Sequence, residues 1–117
     1  MTITTVGLDA DDTLWHNETI FRLTHQRFVE LLAPYCDDDA RMEATLAEVE
    51  KRNLRLYGYG VKGFTLSMIE TAMELTQDRV SIGVIKQILA AGREMLNEPV
   101  EPLPGVEKAL AELSERY

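Results

Sequence analysis

The sequence is short of cysteine, of positive charge and of long apolar runs. Its single cysteine, Cys36, cannot form an internal disulfide, so we expect a reducing, cytoplasmic setting. Its 12 lysines and arginines stand against 20 aspartates and glutamates, and this net charge of −8 argues against a nucleic-acid or anionic-membrane partner. No apolar run reaches the length of about 18 residues that predicts a membrane span. The first residues also lack the basic start of a secretory signal.

The remaining composition is that of an ordinary globular domain, with 45% hydrophobic and 27% charged residues. Residues 3–8 are rich in β-branched side chains and predict one short strand. From Glu18 onward apolar residues recur at helical spacing, which predicts four amphipathic helices, a proline-containing linker over 99–104 and a final helix. A lone strand cannot satisfy its own backbone groups, so we expect its partner strands to lie outside these 117 residues.

Local signals mark the ends and weak points of these helices. Asp37–Asp39 predicts an N-cap for the second helix, and Gly58 predicts its end. Ser67 and Glu70 have the spacing of a capping box in the third helix. Gly92 interrupts the fourth helix, where it is expected to lower helix stability by roughly 1 kcal/mol relative to alanine.

The acidic cluster after the strand is the strongest chemical signal in the chain. Asp9 and Asp11 lie two residues apart on an extended segment, so their carboxylates point to the same side. Close carboxylates repel unless one is protonated or a cation bridges them, and oxygen ligands suit Mg²⁺. A nucleophilic Asp, an acid/base Asp and Mg²⁺ together can transfer a phosphoryl group through an aspartyl-phosphate. The competing interpretation is that these acids only cap a helix. An EF-hand calcium loop is excluded, because Leu14 and Ile20 stand where that loop needs a glycine and a glutamate.

The residues around this cluster resemble a known family. The stretch VGLDADDTLW, Val6–Trp15, is similar to motif I of the haloacid dehalogenase-like (HAD) hydrolases, an apolar strand followed by D-x-D-x-T-L. The helical stretch after it resembles the C1 type of cap, and Glu101–Val106 resembles the P-G-V segment where the chain returns to the core. The resemblance implies a mostly α chain, in which a helical C1 cap bundle accompanies one β-strand and one helix of an incomplete α/β Rossmann-like core.

The resemblance also implies roles for individual residues. Asp9 would be the nucleophile and a Mg²⁺ ligand, and Asp11 would be the general acid and base and a second Mg²⁺ ligand. Thr13 would help to hold the loop, and Asp12 stands where many members of the family have glycine. The implied reaction is the Mg²⁺-dependent hydrolysis of a small soluble phosphate monoester.

The same resemblance divides the chain into three parts. These are the first strand and motif I over 1–15, the helical cap over 16–98, and a linker with the first core helix over 99–117. The family's further catalytic groups, a Ser/Thr, a Lys and a late acidic pair, normally follow that helix. We therefore expect an N-terminal portion of a longer phosphatase, inactive by itself, which self-associates through the bare strand at 3–8.

A glycine-rich segment connects the second and third predicted helices. Gly58–Gly63 reads G-x-G-x-x-G, but it follows a helix rather than a strand, so we do not expect a dinucleotide site. Cap loops of HAD hydrolases can face the active site. The resemblance therefore makes Lys62 and Tyr59 candidate contacts to substrate.

Three other functions remain open from the sequence. A phosphomutase shares motif I with the phosphatases. A haloacid dehalogenase uses the nucleophilic Asp but needs neither Mg²⁺ nor an acid/base residue at Asp11. A non-catalytic helical interaction module would make the acidic cluster incidental.

Overall fold

The computed structural model describes residues 2–9, 18–98 and 102–117, and its regular structure is helical. The five helices are α1 (Glu18–Leu32), α2 (Asp39–Tyr57), α3 (Val61–Leu75), α4 (Ile82–Asn97) and α5 (Val106–Arg116). The prediction of a mostly α chain with four helices before a linker and one after it is therefore confirmed. Among the described helices, none combines the length and the apolar character that a bilayer span requires.

The strand predicted over 3–8 is not observed. Residues 2–9 have no regular secondary structure, so the described chain shows neither that strand nor a remnant of a Rossmann-like sheet. The physical reason is that backbone hydrogen bonds to a neighbouring strand define a strand. No partner strand is present among the described residues.

The predicted ends of α2 are observed, whereas the capping-box spacing in α3 does not mark the start of that helix. Asp38 caps α2, because its side chain accepts a hydrogen bond from the Arg41 amide, and Gly58 ends that helix. By contrast, α3 begins at Val61 after Gly60, so Ser67 and Glu70 lie inside the helix rather than at its start. Their capping-box spacing is coincidental, since both side chains contact the neighbouring helix instead.

The chain divides into two compact units, Met1–Phe21 with Pro99–Tyr117, and Arg22–Glu98. The predicted boundaries at 15/16 and 98/99 stay predictions, since both fall on or beside residues outside the described ranges. The first unit contains residues 2–9 and α5, and none of its described residues is buried. The second unit is an antiparallel helical bundle.

The core of this bundle is formed by the facing sides of its four helices. Between the α1 side and α4, the contacts run from Tyr35 with Ser81 to Arg27 with Glu94, and between α2 and α3 from Tyr57 with Glu70 to Arg52 with Glu74. In both pairs the residue numbers change in opposite directions, so the neighbouring helices are antiparallel. Since α3 packs against both α2 and α4, it is the central element of the bundle. The buried hydrophobic residues are Phe28, Leu32, Met42, Leu46, Val49, Phe64, Met68, Ala72, Ile88, Ala91 and Met95.

Gly92 is a contact point between helices rather than only a weak point of α4. A Cβ built on Gly92 would lie 2.3 Å from Oγ1 and 3.1 Å from Cβ of Thr65 on α3. Rotation of the Thr65 side chain relieves only part of this clash, because its Cβ would stay close and its hydroxyl would lose the hydrogen bond that it donates to the Val61 carbonyl. The glycine therefore permits the short distance between α3 and α4, which outweighs its poor helix propensity.

Replacing Gly92 with alanine should destabilise the bundle by about 1–3 kcal/mol, since α3 and α4 would have to separate. The matched control is Gly83→Ala in the first turn of α4, where the nearest atom to a new Cβ is Oγ of Ser81 at 3.7 Å. That control should be neutral or slightly stabilising because alanine favours helix. Urea unfolding of both variants tests the contact, and equal stabilities would contradict it.

Candidate functional site

The structure describes one member of the predicted acidic pair. Asp9 is exposed and ends the segment 2–9, whereas Asp11 lies outside the described residues. The distance between the Asp9 and Asp11 carboxylates is therefore not defined, and their close approach stays a prediction.

The segment that leads to Asp9 lies against α5 in the first unit. The two border an open groove of about 330 Å³. Several of its apolar side chains are exposed, including Val6 (42%), Leu8 (48%) and Leu110 (38%). The groove is lined by Thr4, Thr5, Val6, Leu8, Leu110, Leu113, Ser114 and Tyr117. This unit thus presents apolar surface next to the residue predicted to be the nucleophile.

The described residues do not contain a complete metal site. No group of three His, Cys, Asp or Glu side chains within them could hold a metal ion. Asp9 supplies one exposed carboxylate, and carboxylate oxygen is the donor that Mg²⁺ prefers. The chemistry of this single donor fits the expected ion, but further ligands are needed to bind it.

The two predicted substrate contacts occupy different local structures. Tyr59 lies in the α2–α3 connection and is 91% exposed. Its neighbours Gly58 and Gly60 have φ values of 69° and 119°, which side-chain-bearing residues rarely adopt. Lys62 is also exposed, but it belongs to the first turn of α3 rather than to the connection. The loop is therefore shorter than the glycine pattern indicates.

The α2–α3 connection lies at a defined end of the bundle. The imidazole of His25 stacks on the ring of Phe64, with centroids 5.2 Å apart. Phe64 lies near the start of α3, and the adjacent Thr65 contacts Gly92 near the end of α4. The connection therefore shares one end of the bundle with the early part of α1 and the last turns of α4. We call this the loop end of the bundle.

A hydrogen-bonded network beside the loop end was not foreseen from the sequence. The buried Asn53 amide donates to Oγ of Ser67 at 3.1 Å and to Oε2 of Glu70 at 2.8 Å. The Tyr57 hydroxyl donates to Oε1 of Glu70 at 3.1 Å. These bonds attach the last turns of α2 to α3. The available signal was Asn53 itself, a polar residue within the apolar stripe of α2.

The network holds the Glu70 carboxylate in its charged form. The pKa of Glu70 is lowered from its ordinary value, chiefly because Asn53 donates to it, with further help from Tyr57 and Arg52. The same carboxylate raises the pKa of Tyr57, since it binds the protonated hydroxyl. Arg52 also pairs with Glu74, at 2.8 Å. A single acidic residue thus joins three side chains of α2.

A second acidic residue lies between α1 and α2. Burial raises the pKa of Glu50, and the nearby His25 partly offsets this effect. Glu50 is half-buried and, like the His25–Phe64 stack, lies toward the loop end. This group is a packing contact between helices, and nothing in its geometry identifies a catalytic role.

Comparison with solved structures finds a likeness to a hydrolase. A haloacid dehalogenase-like family hydrolase from Xanthomonas campestris has 44% sequence identity to this chain and superposes with a TM-score of 0.84. The match covers 92% of this chain but 45% of the other, so the chain spans about half the length of that hydrolase. No family model matches, and no curated protein matches. The likeness supports the predicted resemblance at the level of the HAD superfamily and of a hydrolase.

Glu70→Gln should lower the stability of the bundle at pH 7 by about 1 kcal/mol, because the new amide cannot accept from both Asn53 and Tyr57. The folded-state pKa of Glu70 lies below its ordinary value of 4.5. Its contribution is therefore present above that value and is lost as pH falls through the lowered pKa. Unfolding measurements from pH 7 downward should show the difference between variant and wild type shrinking.

The matched control is Glu48→Gln, which removes an exposed carboxylate on α2. Its effect on stability should stay small across the same pH range. A Glu70 effect that is constant with pH, or equal to that of the control, would show that the network does not act through the charged carboxylate.

Proposed function

We propose that this chain belongs to a Mg²⁺-dependent phosphomonoester hydrolase of the HAD type. The observation that carries the proposal is its 44% identity and TM-score of 0.84 to a haloacid dehalogenase-like hydrolase. The D-x-D-x-T-L residues after an apolar segment supply the specific chemistry. We further propose a small phosphate monoester as substrate and the cytoplasm as its location.

In the proposed reaction, the Asp9 carboxylate attacks the phosphorus atom of the ester. The bond from phosphorus to the ester oxygen breaks, and Asp11 donates a proton to the departing alkoxide. Asp11 then accepts a proton from water, which attacks the aspartyl-phosphate and releases inorganic phosphate and free Asp9. Both steps require the two carboxylates to lie within hydrogen-bonding reach of the same phosphoryl group.

Magnesium would neutralise negative charge on the phosphoryl group and on the Asp9 carboxylate. In this chain, Asp9 and Asp11 are the residues proposed to hold it. Asp11 is also what favours a phosphatase over a haloacid dehalogenase, since dehalogenation needs no acid/base carboxylate at that position. A phosphomutase uses the same two residues and is the alternative within the superfamily.

The bundle has the form expected for a cap that closes over the substrate. The α2–α3 connection lies at its loop end. Exposed Tyr59 and Lys62 lie at this end, which supports their proposed role as substrate contacts. Closure of such a cap would exclude water from the aspartyl-phosphate.

The chain by itself should have negligible phosphatase activity. It spans 45% of the related hydrolase. The proposed reaction also needs a cationic side chain on the transferring phosphoryl group, since two carboxylates alone leave its charge largely uncompensated. We propose that the full activity needs groups beyond those of these 117 residues.

The exposed groove of the first unit favours a second candidate function, that of a non-catalytic interaction module. Its apolar residues on segment 2–9 and α5 would then bind another protein. A related proposal is that the chain alone self-associates through residues 3–8, whose apolar side chains are exposed.

A chimera tests the catalytic proposal. In it, this chain replaces the matching segment of the Xanthomonas hydrolase, which the 44% identity makes compatible. The chimera should hydrolyse small phosphate monoesters with Mg²⁺. Asp9→Asn or Asp11→Asn should each reduce the rate at least about 10³-fold, because each removes a group that acts on the reacting phosphorus.

Asp12→Asn provides the matched control, since it removes an adjacent carboxylate without a proposed catalytic role. It should retain activity within about tenfold of the unmodified chimera. Activity that survives both the Asp9 and Asp11 substitutions would contradict the proposed mechanism. A folded chimera that is inactive with and without Mg²⁺ would favour the interaction module.

Self-association has a separate test. Sedimentation of the 117-residue chain should show dimers or larger species at micromolar concentration. Val6→Lys places a charge within the exposed apolar segment and should shift the chain toward monomer. A wild-type chain that remains monomeric at high concentration would contradict the proposal.

A further inference from the structure

Two helices of the bundle, α3 and α4, carry apolar side chains on their solvent side. Exposed large hydrophobic residues recur on both helices at intervals of seven, which is two helical turns. This interval places the residues of each helix in one row along its length. The row on α3 consists of Leu66 and Met73, and the row on α4 consists of Ile82, Leu89 and Leu96.

The two rows lie side by side on one surface. Helices α3 and α4 pack together, and Thr65 contacts Gly92 between them. Leu66 follows Thr65 directly, and Leu89 lies one turn before Gly92, so each row adjoins this contact. A different side of α3, that of Ser67, binds α2. We call the five exposed residues of the two rows the outer face.

The two long borders of the outer face have opposite charge. Glu70 and Glu74 follow the α3 row, and the two carboxylates share one guanidinium, that of Arg52. Lys86 and Arg93 each lie four residues after a member of the α4 row, and neither forms a salt bridge with another described residue. The α3 border therefore keeps a net negative charge, and the α4 border is positive.

The opposite charges also lie at similar heights along the bundle. Helices α3 and α4 are antiparallel, since Thr65 near the start of α3 contacts Gly92 near the end of α4. Counted from this contact, Glu70 and Glu74 lie about 7 Å and about 13 Å along α3, and Lys86 lies about 9 Å back along α4. Lys86 is thus level with the two glutamates, on the opposite border.

This arrangement makes the outer face complementary to itself. A two-fold axis parallel to the helices places α3 of one copy on α4 of the other and leaves every height unchanged. The negative border of each copy then meets the positive border of the other. A two-fold axis across the helices would instead bring like borders together, which is unfavourable.

We propose that two copies of this chain associate through their outer faces, about an axis parallel to α3 and α4. The apolar rows form the centre of the contact, and their spacing of seven is typical of helices that pack lengthwise. Lys86 of each copy lies next to Glu74 of the other. This contact is independent of the proposed function and of residues 3–8, which belong to the other compact unit.

The size of the outer face determines how tight the dimer is. Helices α3 and α4 have 15 and 16 residues, so each is about 23 Å long, and together they are about 20 Å wide. The resulting area of about 450 Å² is smaller than the roughly 800 Å² that each partner contributes to an interface of standard size. We therefore expect a dissociation constant in the micromolar range.

Sedimentation of the full chain tests the apolar centre. Every sample contains Val6→Lys, which removes association through residues 3–8. Between about 1 μM and about 500 μM, this chain should show a monomer–dimer equilibrium. Leu89→Lys should weaken the dimer at least about tenfold, because it places a charge in the centre of the contact.

The matched control is Leu23→Lys, which changes a leucine of α1 that is 57% exposed and lies outside the outer face. It should leave the dissociation constant unchanged. A chain that stays monomeric over the whole range, or an equal loss with Leu23→Lys and Leu89→Lys, would overturn the proposal. A monomer would also mean that something other than a second copy covers this face.

Charge reversal tests the orientation of the two copies. Lys86→Glu and Glu74→Lys should each weaken the dimer about fivefold, and the double variant should recover most of the affinity. A double variant no tighter than the single ones would overturn the parallel axis. Circular dichroism checks that each variant is folded. If Glu74→Lys unfolds the bundle through its loss of the Arg52 pair, the comparison of Leu89→Lys with Leu23→Lys still decides whether the outer face is the contact.

Discussion

The position of α3 between α2 and α4 is the constraint on which the bundle depends. On one side, Asn53 joins α2 to α3 through Ser67 and Glu70. On the other side, Gly92 lets the backbone of α4 approach Thr65. The two contacts are of different kinds. The first satisfies buried polar groups with hydrogen bonds, and the second depends on the absence of a side chain at Gly92. Together they determine where α3 begins and therefore where the α2–α3 connection lies.

The same contacts link the fold to the proposed function. Because Glu70 accepts from Tyr57, the last residue of α2 is held next to α3, and the connection reduces to a short turn with Gly58 and Gly60. The exposed Tyr59 then lies at the loop end of the bundle. A short turn between two packed helices holds Tyr59 in a more defined position than a flexible loop would.

The sequence predicts the helices well because their signals are local. Apolar spacing, the Asp38 cap and Gly58 as the end of α2 are each contained within a few residues. The capping-box spacing of Ser67 and Glu70 was misleading, because both side chains make contacts with α2 that local spacing does not reveal. Gly92 was predicted only as a weak point, since its benefit depends on Thr65, which lies 27 positions earlier in the sequence.

The predicted strand and the acidic pair differ from the helices in a physical way. A strand at 3–8 requires backbone partners, and none is present among the described residues. The Asp9 and Asp11 assignment rests on chemical pattern and stays a prediction, since Asp11 lies outside the described residues. The bundle helices form without such partners because their hydrogen bonds are internal and their apolar faces meet one another.

The most direct measurement of the central claim is to trap the covalent intermediate. With a phosphate ester whose leaving group needs no proton, the Asp11→Asn form of the chimera with the Xanthomonas hydrolase should form an aspartyl-phosphate that hydrolyses slowly, because no base activates water. Mass spectrometry of its proteolytic peptides should then find one phosphoryl group on Asp9. A phosphoryl group on another residue, or turnover with no phosphorylated protein under these conditions, would contradict the account.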